Sequence, residues 1–418
     1  MTGDAEAVRR VWFGDEAFEW DEAATARTGR PALVTQVGRS FQQQHPEVPV
    51  LLDHGRHLVV TMPDLDLPHV PLPEGWTGAQ DDGAAAGHPD WRITLLPADG
   101  EAVVRRPMAA ARAPDPVTTA LLAALSQDTF ADTLAFLVGL TTRHSLSAGF
   151  RQAADHVAAT LTGLGFAVTR PAITVGSGTS SNVIGDRPGT GEGARGVVVL
   201  TAHLDSINLA GGPSAPAPGA DDNGSGSAGV LEMARVLSGR PWRHDLRVIL
   251  FGGEEEGLFG SRQYVAGLPA AERARIRAVL NLDMVGSLNT ASPTVLLEGA
   301  PRSAPMINDL ATAAAGWTGL TVETSLNPFA SDHVPFLDAG IPAVLTIEGA
   351  DSANHNIHSE HDVLSTVDPA LAMQILRMDV AALIGWLEPA VQVPRPAGSV
   401  VSSEPGRLDV FGVSVGEA

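Results

Sequence analysis

From Thr118 onward the apolar residues fall at helical spacing: Leu121, Leu122 and Leu125, then Leu134, Phe136, Leu137 and Leu140, recur at steps of three and four. A second helix is predicted from Gly149 to Leu164. Apolar runs short enough to be strands then alternate with helical stretches. The predicted order is a strand from Gly196 to Thr201, a helix from Ser225 to Leu237, a strand from Leu246 to Phe251, a helix around Ala270 to Arg277, and strands from Ala278 to Leu282 and Thr294 to Leu297. A helix near Pro305 to Ala315, a strand from Ala343 to Ile347 and a last helix from Asp368 to Leu387 complete the pattern. Strand and helix in alternation imply an α/β fold: a mostly parallel (mixed) central sheet with helices on both faces.

The first 113 residues read differently. Their apolar runs are short and scattered, as in Val48 to Leu52 and His57 to Met62, and predict a small N-terminal β-containing domain. A stretch rich in Pro, Asp and Gly runs from Pro63 to Pro89. Arg105-Arg106-Pro107 and Ala113-Pro114-Asp115-Pro116 read as a linker. The expected organisation is an accessory or propeptide-like domain at 1–113, an α/β domain at 114–390 and a C-terminal tail at 391–418.

Composition narrows the chemistry. Of 418 residues, 44% are hydrophobic and 5% aromatic, with one tyrosine, Tyr264, so the core must rest on Ala, Val, Leu and Ile. Acidic residues outnumber basic ones 48 to 27, for a net charge of −21, and every basic residue is arginine. That balance disfavours nucleic acid and anionic membranes as partners. Cysteine is absent, which excludes disulfides and thiolate ligands, so a metal would have to sit on nitrogen and oxygen donors. The N-terminus lacks a basic start followed by an apolar stretch, and the expectation is a cytoplasmic chain, or a secreted one if Met1 was added to a mature sequence. The pattern specifies no oligomeric state.

Polar groups collect where apolar runs end. His203 follows Val197 to Ala202, with Asp205 two residues on; Asp205 can accept the second ring N–H and fix the tautomer, although a surface His–Asp pair would look the same. Pro218 to Gly226 opens a helix around Asp221-Asp222-Asn223. A helix cap needs one acid there and not two, and the two oxygens of Asp222 could bridge a pair of cations. Glu254-Glu255-Glu256 follows Val248 to Phe251 through two glycines. Three adjacent acids on a turn are often solvated charge, but neighbours in a turn point different ways, so one glutamate could bind metal while the one before it faces the metal-bound water. Asp283 ends the strand from Ala278 to Leu282, where burial without a partner would cost several kcal/mol. Of His355, His358 and His361, at most one need be a ligand. Ser331-Asp332-His333 is either a capped helix start or a contact to substrate.

In this order the motifs resemble those of the co-catalytic di-zinc aminopeptidases of metallopeptidase family 28. The correspondence runs through His-x-Asp, Asp-Asp-Asn-x-Ser-Gly, Glu-Glu, Leu-Asp-Met and Ile-His-Ser, and covers about Ser126 to Leu387. The resemblance implies a zinc aminopeptidase-like fold and two Zn ions per chain. One ion would be held by His203 and Asp283, the other by Glu255 and His358, with Asp222 bridging and Glu254 as general base. It further implies a metal-dependent exopeptidase that hydrolyses peptides at a free N-terminus, using water shared by the two ions. In two respects the chain departs from the pattern: some relatives place a tyrosine beside the site, where this chain has Ile357 and Pro328. A glutaminyl cyclase-like acyltransferase, which carries Asp-Ser in place of Asp222-Asn223, and an inactive binding protein on a peptidase scaffold are the competing readings.

Overall fold

The computed structural model describes residues 8–21, 29–62, 91–96, 100–106 and 115–390. The stretch from Pro63 to Pro89, the linker between 107 and 114 and the tail from Val391 lie outside the described residues. The N-terminal part contributes β1 (Val8–Phe13), β2 (Glu16–Asp21), β3 (Arg30–Gln36), β4 (Val50–His54), β5 (His57–Met62), β6 (Trp91–Leu95) and β7 (Gly100–Arg106). Beyond the linker come β8 (Ala167–Thr169), β9 (Ala172–Val175), β10 (Gly178–Ser181), β11 (Val183–Arg187), β12 (Val197–His203), β13 (Asp245–Phe251), β14 (Ile276–Leu282), β15 (Thr294–Gly299), β16 (Thr321–Ser325) and β17 (Ala343–Glu348). The helices are α1 (Ser40–Gln44), α2 (Pro116–Ala123), α3 (Gln127–Val138), α4 (Ala148–Gly163), α5 (Gly226–Ser238), α6 (Phe259–Gly267), α7 (Ala270–Arg275), α8 (Ala304–Trp317), α9 (His333–Asp338) and α10 (Pro369–Leu387).

Every residue of β12 is buried, which is why its sequence is mostly apolar and why it takes the middle of the sheet. Parallel neighbours flank it, β13 on one side and β14 on the other, and β17 lies parallel beyond β14. The alternation of the strands splits the core in two. Val198, Leu200 and Ala202 pack with Val248, Leu250, Leu280 and Leu282 against the helices of one face. Val197, Val199, Ile249, Phe251 and Val279 pack with Val265 and Phe336 on the other. Each such side chain contributes about 1.5–3 kcal/mol by leaving water, so a one-residue slip of register would forfeit both faces together. The full order is β2-β1-β7-β16-β15-β17-β14-β12-β13-β11-β8, a mixed sheet with antiparallel pairs at β1–β2, β16–β7, β15–β17, β11–β13 and β11–β8.

Helix boundaries follow side-chain caps. The helical run predicted from Thr118 is two helices, because Ser126 turns its hydroxyl to the amide of Thr129 and starts α3 afresh. Asp368 caps α10 through the amides of Ala370 and Leu371. α10 is long and apolar enough to cross a membrane, yet 67% of it is buried inside the protein, as a core helix. The helix expected to reach Arg277 stops at Arg275, since Ile276 already pairs with Val197 in the sheet.

The N-terminal residues are hydrogen-bonded into the same sheet. β7 pairs antiparallel with β16, and β1 lies parallel to β7. β3 to β6 form a separate four-stranded antiparallel sheet in the order β4-β5-β3-β6. Leu33, Leu52 and Val59 of that sheet share one apolar cluster with Met284, Leu345 and Ile347, so it lies over the β14–β17 region.

Candidate metal centre

Parallel strands end at a common edge, and β12, β13 and β14 deliver His203, the turn holding Glu254 and Glu255, and Asp283 to the same place. His203 Nε2 lies 3.1 Å from Asp283 Oδ1 and 3.3 Å from Asp222 Oδ1. His358 Nε2 lies 3.0 Å from Asp222 Oδ2 and 3.0 Å from Glu255 Oε2. Asp222 therefore turns one oxygen to each imidazole. Ligand atoms of His203, Asp222 and Glu255 lie within 4.8 Å of one another, as do those of His203, Glu254 and Asp283.

The donor set fits divalent cations. Asp222, Glu255 and Asp283, all but enclosed, meet two imidazoles, and Glu255 Oε1 is enclosed without a hydrogen-bond partner among the described residues. Buried carboxylates in excess of cationic partners are costly unless a cation joins them. Their titration reflects that crowding. Burial pushes Glu254 well up, with Asp283 and Asp332 adding repulsion, and burial together with Asp222 raises Glu255. Burial opposes charge on Asp222 too, but bonds from His203 and His358 outweigh it and hold this carboxyl low.

The three glutamates of the turn part company. Glu254 and Glu255 face the centre, whereas Glu256 accepts the amide of Ser145 at 3.0 Å and lies 3.3 Å from His144. Of the histidine series, His355 and His361 are exposed and His358 alone enters the cluster. Asp205 accepts the amide of Glu255 at 3.0 Å; its carboxylate is 3.8 Å from His203 Nδ1, while its backbone oxygen is nearer, at 3.2 Å. Thus the ring is oriented by the main chain of Asp205, and its side chain fixes the glutamate turn. Tyr264 makes no bond to these groups; it packs on Phe251 and Phe336, with its hydroxyl accepting from Arg247 at 2.9 Å.

Among the supporting residues, Asp362 and Arg143 had no signal beyond being charged in the sequence, whereas Asp221, Asn223 and Ser331 lie in the motifs already noted. Asp362 accepts the amides of Asp221 and Asp222, both at 2.9 Å. Asn223 donates to Leu282 O at 2.9 Å and accepts from Met284 N at 3.3 Å, joining the paired-acid loop to both flanks of Asp283. The peptide between Asp222 and Asn223 is cis. Asp221 faces away, accepting Gly286 N and Asn354 Nδ2, each at 2.8 Å. Ser331 donates to Asp283 Oδ2 at 2.6 Å and accepts from Asn281 at 2.9 Å. Arg143 is fully buried with carbonyl partners: Leu204 O at 2.8 Å, Gly219 O at 2.9 Å, and those of Leu137 and Pro218. Burial lowers its pKa to about 10, so it stays cationic and ties the segment after His203 to the loop before Asp222. That loop needs Gly219, whose φ is +53° and where a Cβ would stand 2.5 Å from Asp222 O.

Residues 182–383 match the model of peptidase family M28. The chain carries a peptidase family M28 domain. Leupeptin-inactivating enzyme 1 of Streptomyces exfoliatus is 35% identical over 256 residues, 60% of this chain and 54% of that protein. Aminopeptidase YwaD of Bacillus subtilis is 36% identical over 171 residues, 41% of this chain and 36% of that one. The chain thus spans about half or less of the length of these relatives. Among solved structures, the fold of this chain is similar to BSAP, a zinc aminopeptidase from Bacillus subtilis, with a TM-score of 0.56 at 20% identity over 63% of this chain and 95% of that one. It is also similar to the LapA aminopeptidase of Legionella pneumophila, with a TM-score of 0.57 at 17% identity over 86% of this chain and 99% of that one.

Proposed function

We propose that the chain is a metal-dependent exopeptidase, an aminopeptidase that holds two zinc ions and releases N-terminal amino acids from peptides. The observation that carries this reading is Asp222, with Oδ1 3.3 Å from His203 and Oδ2 3.0 Å from His358. Such a placement suits a carboxylate shared by two cations. Similarity to aminopeptidases supports the substrate class, and similarity to BSAP, a zinc aminopeptidase, supports the metal. His203 and Asp283 would hold one ion, Glu255 and His358 the other. Zinc, when bound, supplies Lewis acidity toward water and a peptide carbonyl.

The remaining work falls to side chains of this protein. Glu254, beside His203 and Asp283, takes a proton from the attacking water and returns it to the leaving amine. Asp205 keeps Glu254 and Glu255 on their sides of the turn by holding the amide between them. Ser331 occupies the second oxygen of Asp283 and leaves Oδ1 free to face His203. The acidic excess of the chain favours a substrate with a cationic N-terminus.

A glutaminyl cyclase from Porphyromonas gingivalis shares the fold, with a TM-score of 0.51 at 22% identity. The Asn223 linkage across Asp283 supports the peptidase reading, because that position is serine in the cyclase pattern. Elemental analysis with two assays decides among the readings: release of chromophore from aminoacyl substrates, and cyclisation of an N-terminal glutaminyl peptide. About two zinc ions per chain with hydrolysis is the expected result; cyclisation with one ion, or no zinc and no turnover, would overturn it.

A further inference from the structure

A two-residue turn, Gly55-Arg56, joins β4 to β5, with His54 and His57 paired across it. The turn presses on the rest of the protein: Gly55 has φ +63°, and a Cβ there would lie 2.8 Å from Ala350 Cα. Arg56 is buried to 2% exposure. Its Nη1 donates to Phe329 O at 2.9 Å and lies 3.3 Å from Glu298 Oε1, and its Nε is 3.2 Å from Asp351 Oδ2. Both acids are themselves buried.

From this one guanidinium, two arms lead to the metal centre. In the first, Glu298 Oε1 also accepts the amide of Phe329 at 2.8 Å, so Phe329 is held at both its amide and its carbonyl, two residues before Ser331. Ser331 in turn bonds Asp283 at 2.6 Å. In the second, the carbonyl of Asp351 accepts the amide of Asn354 at 3.0 Å, and the Asn354 side chain bonds Asp221, next to Asp222. The same segment continues to His358, and Ile357 packs so closely under the N-terminal layer that a Cβ on Gly38 would lie 2.9 Å from it. The likeness to LapA covers 86% of this chain, whereas residues 115–390 are 276 of the 418, so that shared fold reaches into the N-terminal part.

We infer that Arg56 is a positioning residue for the metal centre, and that the N-terminal layer carrying it is a permanent part of the working protein and not a detachable cover. This rests on the proposed two-zinc reading for its zinc and activity readouts only. Removing Arg56 uncouples Phe329 and Asp351 and leaves two enclosed carboxylates without their cation. The fold would respond to the lost charge balance, the metal centre to the lost geometry.

The test compares full-length wild type with Arg56→Met, Arg56→Lys and the triple variant Arg56→Met/Glu298→Gln/Asp351→Asn. The readouts are melting temperature, zinc retention against a graded chelator, kcat and KM on a small aminoacyl substrate, and amide exchange of the metal-free chain at residues 326–333 and 349–358. Arg56→Met should lose exchange protection in both segments, release zinc at a chelator level at least ten times lower, and lower kcat at least tenfold with KM within threefold. Arg56→Lys should recover part of each. The triple variant should recover melting temperature but not zinc retention or kcat. Should it recover everything, Arg56 only balances charge and the positioning role is overturned; unchanged exchange and zinc retention in a folded Arg56→Met overturns it too. If Arg56→Met does not fold, the other two variants decide. A wild type without zinc or turnover would fail the two-zinc reading, while the exchange data would still test Arg56. For the layer, a protease site placed between Pro107 and Pro114 should give two pieces that stay together with unchanged activity; a remainder that sheds the N-terminal piece and turns over faster overturns permanence.

Discussion

Asp362 holds Asp222 by the backbone: its Oδ2 accepts the Asp222 amide at 2.9 Å, while Oδ1 takes that of Asp221 at the same distance. A carboxylate can accept two adjacent amides, whereas a carboxamide offers one oxygen and presents an N–H to the other donor. Asp362→Asn should therefore displace the paired-acid loop without touching a ligand side chain. Supports of this kind change metal affinity by about 10- to 100-fold, and a chelator titration should show a loss in that range. Unchanged zinc retention would mean that the loop is fixed by Asn223 and Arg143 alone.

Glu254 is the group whose loss should separate chemistry from binding. Glu254→Gln keeps the size and the turn and leaves Glu255 and Asp205 in place, so zinc content and melting temperature should match wild type. Removing the proton acceptor should lower kcat by about 10²- to 10⁴-fold. A variant with more than a tenth of wild-type kcat would assign the proton transfer elsewhere, with Asp332 the next group to examine, since it adds to the charge around Glu254.

The neighbouring aspartates should fail in different ways. Asp222 faces both imidazoles, and Asp222→Ala should empty the centre and abolish the stabilisation that zinc confers on folding. Asp221 accepts from Gly286 and Asn354, so Asp221→Ala leaves the Gly286 amide unpaired in a buried place and Asn354 with Ser287 alone, at a cost of about 1–3 kcal/mol. It should lower melting temperature in the metal-free chain while zinc still binds near full stoichiometry. Zinc lost from the Asp221 variant and kept by the Asp222 variant would reverse the assignment.

How much of this was legible in the sequence follows from the physics of each residue. β12 and β14 stood out because strands buried on both faces are mostly apolar, and His203 and Asp283 stood out because they come where those runs end. Short strands such as β8 and β10, with few buried positions, gave no periodic signal. The joining of β7 to β16 was invisible for another reason: a pairing between segments more than two hundred residues apart leaves no local trace. Arg143 and Arg56 were two arginines among many, since a buried cation bonded to carbonyls and distant acids is identified by its surroundings and not by its neighbours in the chain.

His57 supplies a prediction about acid stability. It follows Arg56, is 1% exposed, and burial pushes its pKa from 6.5 down to about 3, with Arg56 nearby also disfavouring charge and Glu298 partly opposing. The folded state therefore holds it neutral while the unfolded chain protonates it below its ordinary value. In that window the unfolded state binds more protons, so stability from this group is present above pH ~6.5 and is lost as pH falls toward ~3. The full slope for one such group is about 1.4 kcal/mol per pH unit. Urea unfolding of the metal-free chain at pH 6.5, 5.5 and 4.5 should show wild type losing stability with acid. His57→Phe, of similar volume and unable to titrate, should lose less across the same interval, by up to that slope per unit. Parallel pH profiles for the two proteins would mean that His57 can charge in place, and that acid unfolding is governed by other groups.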